Sequence, residues 1–302
     1  MLIRPLNSND TLSIIEIWKE CFTNEDSYIH MFLEKCFPFS VSFGLFDSIN
    51  SNALAMLSLL PSHAYATIKG NATLVPGAYI YGVGTLKAHR GKGYSYDLMK
   101  RALEYATNTN LKYLVLKPAQ DSLYNLYKNQ SFETTLHSLQ KIYEINHLNP
   151  QERTKSLPLV KPITSHQYFD IREKNLLDTH ILWSRDILGY SLAEVESRDG
   201  SYGIIENNGY TIIFALYPID EHTLKIVDHN AKDRTNLNAL VNSVAFTYSS
   251  YSRIIIETST NNNNDPNTDD WQIQKNSMIK FLTSEKEIHI NLSKKIISLA
   301  ME

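Results

Sequence analysis

A basic turn containing two glycines separates a strand-like stretch from a helix-like stretch of the sequence. The turn includes Arg90, Gly91, Lys92 and Gly93; the apolar residues 79–86 precede it and predict a strand. After it, apolar or small residues recur every four positions and predict an amphipathic helix: Tyr94, Leu98, Ala102 and Ala106. Glycines let the backbone approach a ligand closely, and the first helical turn leaves N–H groups without partners. With the two cations, the segment predicts a site for a phosphate or pyrophosphate.

Two common phosphate-binding motifs do not fit this turn. A P-loop would need glycine where Leu86 stands and a hydroxyl residue where Gly93 stands. The dinucleotide motif would need a third glycine where Tyr96 stands. The segment Arg90-Gly91-Lys92-Gly93-Tyr94-Ser95 instead resembles the pyrophosphate loop R/Q-x-x-G-x-G/A of the Gcn5-related N-acetyltransferase (GNAT) superfamily, with Ser95 in place of the last small apolar residue.

The resemblance extends to the strand that precedes the turn. Val83-Gly84-Thr85 is similar to the GNAT strand whose backbone binds the pantetheine arm of acetyl-CoA. The resemblance therefore implies that acetyl-CoA is the co-substrate. It also implies that the backbone N–H of Val83 stabilises the oxyanion. The coenzyme contacts that it implies are Val83, Thr85, Arg90, Gly91, Lys92, Gly93, Tyr94 and Ser95.

A second stretch, SLYNLYKNQSF at 122–132, resembles the later GNAT helix with the pattern N-x-x-A-x-x-L-Y-x-x-x-G-F. Tyr127 falls on the tyrosine of the pattern and Phe132 on its phenylalanine. Three positions depart from the pattern: Gln120, Leu123 and Ser131. The resemblance implies that the Tyr127 hydroxyl protonates the departing coenzyme thiolate.

The composition limits the classes of protein that this sequence can represent. A chain of 302 residues is long enough for two domains of ordinary size, and its net charge of −3 disfavours a nucleic-acid-binding protein. It contains no apolar run of about 18 residues and no signal-peptide pattern, so we expect neither a membrane span nor secretion. Cys21 and Cys36 predict no disulfide framework and no metal site, and we expect them to lie away from the motifs. A cytoplasmic location is the expectation.

The order of predicted elements over residues 1–147 is β-α-α-β-β-β-α-β-α-β, which is that of the GNAT fold. This fold is α+β, with a mixed, mostly antiparallel sheet flanked by helices. The first helix is predicted over 11–22, with Asn9 or Asp10 as its cap. The other predicted ranges are 28–37 and the segment after 93 for helices, and 2–6, 41–46, 53–60, 79–86, 113–116 and 132–145 for strands, with 63–71 extending the meander.

A proline-containing, polar linker is predicted at 148–162, and a second α+β domain at 163–302. Residues 165–190 predict a helical stretch, and 223–257 repeat the strand–loop–helix–strand order of the first half. No glycine follows Gly209, so a backbone cradle like that at 90–95 is not expected there. The second half thus resembles a degenerate GNAT domain, as in the enhanced-intracellular-survival type of acetyltransferase without its third domain. An unrelated α+β domain is the alternative.

The resemblance implies an acetyl-CoA-dependent N-acetyltransferase in which a primary amine attacks the thioester directly. The acceptor is open, and a small molecule is favoured if the second domain covers the cleft. The general base is also open; the candidates are Tyr81, Glu25, Asp26, Glu34, His30 and His63. In the second half, His180, Trp183 and Glu194 are candidates for a lid over the acceptor. The alternative function is a non-catalytic acyl-CoA-binding or regulatory protein, and the oligomeric state is open.

Overall fold

The computed structural model describes residues 1–49, 51–68, 71–145, 157–176, 180–259, 270–282 and 298. Within these ranges no helix combines the length and apolarity needed to cross a membrane. Nor do the same ranges contain a group of three or more His, Cys, Asp or Glu side chains placed to hold a metal ion.

Residues up to 145 form six strands and four helices. In chain order they are β1 (Leu2–Pro5), α1 (Thr11–Cys21), α2 (Asp26–Lys35), β2 (Val41–Phe46), β3 (Ala53–Ile68), β4 (Asn71–Thr85), α3 (Tyr94–Asn108), β5 (Tyr113–Leu116), α4 (Asp121–Lys128) and β6 (Glu133–Glu144). The predicted order of elements is therefore confirmed. The predicted side-chain cap at Asn9 or Asp10 is wrong, because the Asp10 carboxylate instead accepts hydrogen bonds from the Arg4 guanidinium at 2.8 Å.

The later residues form β7 (Lys161–Pro162), α5 (Ser165–Leu176), β8 (Leu182–Trp183), α6 (Arg185–Ser197), β9 (Ser201–Asn207), β10 (Tyr210–Asp220), β11 (Thr223–His229), α7 (Arg234–Thr247), β12 (Arg253–Ser259) and β13 (Gln272–Phe281). The helical stretch predicted over 165–190 is in fact α5, β8 and the start of α6. The short strand β8 interrupts it because Leu182 and Trp183 pair with β3, a contact across more than a hundred residues. The strand predicted at 287–290 and the terminal helix lie outside the described residues.

All strands join one sheet with the order β1-β2-β3-β4-β5-β13-β6-β12-β11-β10-β9-β7, and β8 pairs with β3 off this path. The order is symmetric about the β13–β6 pair, so each half receives the last strand of the other. Most neighbours are antiparallel, whereas β4–β5 and β11–β12 are parallel. The predicted mixed, mostly antiparallel α+β fold is confirmed. The domain boundary at 148–162 stays a prediction.

The helices cover both faces of the sheet. On one face, α1 and α2 share a buried cluster with α5 and α6 of the second half, and Trp18, Phe32 and Tyr190 belong to it. On the other face, Leu98 and Met99 of α3 pack on β2–β5. Since each fully buried large apolar side chain contributes about 1.5–3 kcal/mol, these contacts hold α6 firmly against α2. The packing of α6 on α2 places residues of the second half beside the first-half site.

Candidate active site

A gap opens between the parallel strands β4 and β5. Their pairing runs only from Gly77 opposite Tyr113 to Tyr79 opposite Val115. Beyond it, β4 continues to Thr85, and a bulge at Gly82, whose φ is +59°, bends it. In the described part of the chain, the edge of β4 that faces β5 has no strand partner from residue 80 onwards. Its backbone groups can therefore hydrogen-bond an extended ligand.

A cavity of about 800 Å³ occupies this gap. Val83 and Tyr81 line it from β4, Leu116 from β5 and Tyr127 from α4. The connection between α1 and α2 forms a further wall, and the end of α6 contributes from the second half. These walls include Trp18, Cys21, Phe22, Thr23, Glu25, Tyr28, Ser197 and Arg198. The cavity thus lies at the junction of the two halves of the sequence.

The basic turn adjoins the cavity at the end of β4. Gly91 has a φ of +77° and Gly93 one of +82°, and a Cβ at either would meet nothing within 4 Å. Gly93 is also the N-cap residue of α3, and no side chain caps the helix. The surroundings of Gly91 and Gly93 are therefore open at the positive end of the helix dipole, and the helix start has no side-chain cap. This is the geometry of an anion site, as the spacing predicts.

Arg90 and Cys21 connect the turn to the cavity. The Arg90 Nε donates to the Thr85 carbonyl at 3.0 Å, and its Nη2 lies 3.8 Å from the Cys21 Sγ. The Cys21 thiol donates to the same carbonyl at 3.4 Å. The expectation that Cys21 lies away from the motifs is therefore wrong. Its distance in sequence gave no indication of this contact, which depends on α1 packing across the end of β4.

The remaining residues of the turn divide between the surface and the core. Lys92 is exposed, Ser95 is half-buried, and Tyr94 is buried against the cluster beneath α3. Tyr94 also stacks on His89, with ring centroids 6.4 Å apart. The side chain of Tyr94 therefore anchors the helix start, while the backbone of the turn stays accessible.

Tyr127 is buried and lines the cavity from α4. Burial raises the pKa of its hydroxyl, so this side chain stays protonated at neutral pH. Its ring packs against that of Phe132, with centroids 6.3 Å apart. Ser131, which stands where the pattern has glycine, has a φ of +64°. The backbone at Ser131 thus keeps the left-handed conformation for which glycine is usual.

The structure separates the candidate bases into two groups. Tyr81 and Glu25 line the cavity. The others lie away from it: Asp26 pairs with Lys19 at 2.7 Å, His63 pairs with Glu173 at 3.0 Å, and His30 and Glu34 are exposed. Only the first group is placed to reach an acceptor in this cavity.

A cluster of tyrosine hydroxyls lies beside the cavity, behind the wall to which Tyr28 and Tyr81 contribute. The Tyr81 hydroxyl is 3.1 Å from that of Tyr28 and 3.2 Å from that of Tyr190. Glu194, on the same helix as Tyr190, is 5% exposed and pairs with Arg198 at 2.7 Å. Sequence analysis missed the part played by Tyr28 and Tyr190. The one available signal was the four-residue spacing of Tyr190 and Glu194, which puts them on one face if the helix predicted over 165–190 continues to 194.

The lid candidates of the second half occupy three different places. Glu194 is buried beside the tyrosine cluster and does not cover the cavity as a lid. His180 lies 3.9 Å from the buried Asp228, and the Trp183 Nε1 donates to the Ser298 carbonyl at 3.1 Å. His180 therefore belongs to the buried surroundings of Asp228, whereas Trp183, whose ring centroid also lies 5.1 Å from that of Tyr79, belongs to the cluster shared by the two halves.

Comparisons with known proteins agree with this geometry. Residues 2–134 match the family model of the acetyltransferase (GNAT) domain. No curated protein matches the chain.

Solved structures resemble nearly the whole chain. A conserved protein of unknown function from Enterococcus faecalis, a probable N-acyltransferase, has a TM-score of 0.73 at 16% identity. The match covers 93% of this chain and 72% of that protein's chain. A GCN5-related N-acetyltransferase from Kribbella flavida has a TM-score of 0.68 at 15% identity, and the match covers 93% of this chain and 71% of the Kribbella chain. Eis1 from Mycobacterium abscessus has a TM-score of 0.65 at 13% identity, and the match covers 95% of this chain and 75% of the Eis1 chain.

At these identities the solved structures show the shared fold, and the family model covers residues 2–134. The resemblance drawn from Arg90–Ser95 and residues 122–132 is confirmed. Residues 2–134 are therefore identified as a GNAT acetyltransferase domain, which supports acyl transfer in general.

Proposed function

We propose that this protein transfers the acetyl group of acetyl-CoA to the primary amine of a small-molecule acceptor by direct attack, without a metal ion. The observation that carries the proposal is the open gap between β4 and β5. It adjoins an uncapped helix start with two left-handed glycines, and Tyr127 lines it. An extended thioester fits such a gap, since its phosphates and its reacting carbon need sites at opposite ends.

The coenzyme contacts follow from the position of each group. The N–H groups from Arg90 to Ser95, with the Lys92 charge, would hold the pyrophosphate. The free backbone edge of β4, including Val83 and Thr85, would hydrogen-bond the pantetheine arm. Thr85 offers its backbone N–H to this role, because its carbonyl already accepts from Arg90 and Cys21.

The chemistry needs an oxyanion donor and a proton donor for the leaving group. In this proposal, the Val83 N–H stabilises the oxyanion that forms when the amine attacks the thioester carbon. The C–S bond then breaks as the Tyr127 hydroxyl gives its proton to the coenzyme sulfur. One amine proton returns to Tyr127, so the hydroxyl is restored. No covalent enzyme intermediate is required.

The walls of the cavity favour a small acceptor over a protein tail. Ser197 and Arg198 of the second half line the cavity. Tyr28 of α2 and Glu25, the residue just before α2, line it from the first half. A lysine on a folded protein would have to pass between these walls. Cys21 and Cys36 are free thiols, which fits a reducing cytoplasm as the place of action.

The first test is isothermal titration with acetyl-CoA of the wild-type protein and of Gly93→Trp. A tryptophan at Gly93 enters the open space where the phosphates would lie. Gly209→Trp is the matched control, because Gly209 has a φ of +79°, equally open surroundings and a place in a second-half hairpin turn. We expect wild type and Gly209→Trp to bind, and Gly93→Trp not to bind. No binding by wild type would overturn the proposal.

Turnover is measured next, as thiol release from acetyl-CoA in the presence of a panel of primary amines. Amine-dependent release supports the enzyme. Coenzyme binding without release by any amine would instead favour the non-catalytic acyl-CoA-binding alternative. Faster acetylation of peptide lysines than of every small amine would contradict the small acceptor.

A further inference from the structure

We propose that Glu194 and the hydroxyls of Tyr28 and Tyr81 form a proton relay that deprotonates a cationic amine acceptor. The second half of the chain would then complete the site of the first half. This inference rests on the proposed function, because it needs an amine that attacks a thioester in this cavity.

The relay begins at the cavity wall. Tyr81 and Tyr28 both line the cavity, and their hydroxyl oxygens lie 3.1 Å apart. Burial raises the pKa of both hydroxyls, so each is neutral and carries one proton that it can pass on. A side chain in this state can accept one proton and release another without becoming a tyrosinate.

The relay ends at a carboxylate supplied by α6. Glu194, which is 5% exposed, adjoins the Tyr28 hydroxyl: after burial, the charge of Glu194 and a hydrogen bond with its side chain are further causes that raise the pKa of that hydroxyl. Arg198, 2.7 Å from Glu194, compensates the buried negative charge. Five ionisable groups face Glu194. Tyr28 lies on α2, Cys36 just after α2, Tyr81 on β4, Tyr190 on α6 and Arg198 just after α6. Within this set, Glu194 is the one carboxyl group.

The packing of α6 on α2 fixes the position of Glu194. Tyr190, one helical turn before Glu194, contacts Phe32 and Tyr81 in the core that the two halves share. A buried ion pair is a costly way to stabilise a fold, because desolvation offsets its attraction. A role in proton transfer gives the buried carboxylate a use that packing alone does not require.

The step balances as follows. The acceptor ammonium gives one proton to the Tyr81 oxygen, Tyr81 gives its own to Tyr28, and Tyr28 gives its own to the Glu194 carboxylate. One N–H bond breaks and one carboxyl O–H bond forms, which leaves a neutral amine to attack the thioester. Glu194 afterwards releases the proton to solvent.

The test compares acceptors of similar size and different basicity: propylamine, glycinamide and 2,2,2-trifluoroethylamine. At neutral pH the first is protonated and the last is already neutral. We expect Glu194→Gln and Tyr28→Phe to lower kcat/KM for propylamine by about 10²- to 10⁴-fold and to leave that for trifluoroethylamine nearly unchanged. The Kd of acetyl-CoA should stay the same in both variants.

Tyr113→Phe is the matched control, since Tyr113 is a buried tyrosine whose hydroxyl bonds only to Ser62 at 3.1 Å, away from the cavity lining. It should show no dependence on amine basicity. An equal loss for all three amines in Glu194→Gln and Tyr28→Phe would overturn the relay and leave a structural role. Wild-type protein that binds acetyl-CoA and acetylates none of the amines would overturn the amine-acceptor proposal, and the relay with it.

Discussion

The two halves of the molecule build the same strand–turn–helix–strand unit and begin its helix differently. In the first half, Gly93 stands at the N-cap of α3 with a left-handed backbone and no side chain. In the second half, Asp233 stands at the N-cap of α7 with an extended backbone, and its carboxylate accepts from the Asn236 N–H at 2.8 Å. The first helix start is open to an external anion. The second is already occupied by the negative charge of its own chain.

The gaps between the parallel strands differ in the same sense. Pairing of β11 with β12 ends at Ile226 opposite Ile256. Beyond it, the Asn230 side chain accepts from the Ile213 N–H at 2.8 Å. The nearby Asp228 is fully enclosed by hydrogen-bonding partners: Tyr168, Arg172 and Ser298. The comparison teaches that the same fold unit can leave the end of its strand open, as β4 does after residue 80, or surround it with buried polar side chains that hydrogen-bond within the protein, as at Asp228 and Asn230.

The largest expected effect concerns the acid that the second half lacks. No tyrosine occurs between Thr258 and Trp271, the stretch that corresponds to α4. Tyr127→Phe should lower kcat by about 10²- to 10⁴-fold while acetyl-CoA binds with unchanged Kd, because only a proton donor is removed. Steady-state kinetics and titration calorimetry measure the two quantities. Unchanged kcat would show that the hydroxyl is not the acid.

The buried cluster around Asp228 should matter chiefly for stability. Asp228→Asn leaves the Arg172 guanidinium buried without its counter-charge, so the free energy of unfolding in urea should fall by about 3–5 kcal/mol. Asp170→Asn is the control, because Asp170 pairs with Arg185 at an exposed site, and little change is expected. A small effect for Asp228→Asn would mean that the cluster is not the structural substitute inferred here.

The same cluster predicts a pH dependence. Burial alone would raise the pKa of Asp228, but the charges of Arg172 and His180 outweigh it and hold the pKa below its usual value. A lowered folded-state pKa contributes stability above the unfolded value of about 3.9, and that contribution is lost as the pH falls through the folded pKa. The stability difference between wild type and Asp228→Asn should therefore narrow below about pH 4. A constant difference down to the acid transition would contradict this assignment.

Copying the second-half cap into the first half sharpens the comparison directly. Gly93→Asp places a carboxylate where the coenzyme phosphates would lie, which should weaken acetyl-CoA binding by about 1–4 kcal/mol, or roughly 5- to 1000-fold in Kd. Gly93→Asn separates charge from bulk, and Gly209→Asp repeats the backbone change in a distant turn. Calorimetry should show the full loss only for Gly93→Asp. Equal losses in Gly93→Asp and Gly93→Asn would point to bulk.

The smallest effect is expected from removing the second-half cap. Asp233→Ala should lower the free energy of unfolding by about 1 kcal/mol, since one helix N–H loses its acceptor. It should create no coenzyme site, because Asn230 and Asp228, which follow the paired part of β11, are buried and stay hydrogen-bonded within the protein. Acetyl-CoA binding to a protein carrying both Gly93→Trp and Asp233→Ala would break the comparison.

Local sequence was enough to predict the features that depend on neighbouring residues. The turn from Arg90 to Ser95 was predicted correctly, because Gly91 and Gly93 adopt its left-handed conformations readily. The order of elements up to residue 145 also follows from short-range periodicity, and the two motifs identified the domain that spans residues 2–134. The roles of Val83, Thr85 and Tyr127 remain predictions of that resemblance.

Only the tertiary structure decided which distant residues meet. The contact of Cys21 with Arg90, the strand β8 within an apparently helical stretch, and the exchange of β6 and β13 all join residues far apart in sequence. The same holds for Glu194, which reads as an exposed lid residue and lies buried beside Tyr28. The sequence alone determined the turn from Arg90 to Ser95, because its conformation depends on neighbouring residues. The packing of α6 on α2 decided the surroundings of Glu194, because the properties of a buried carboxylate depend on the groups that contact it.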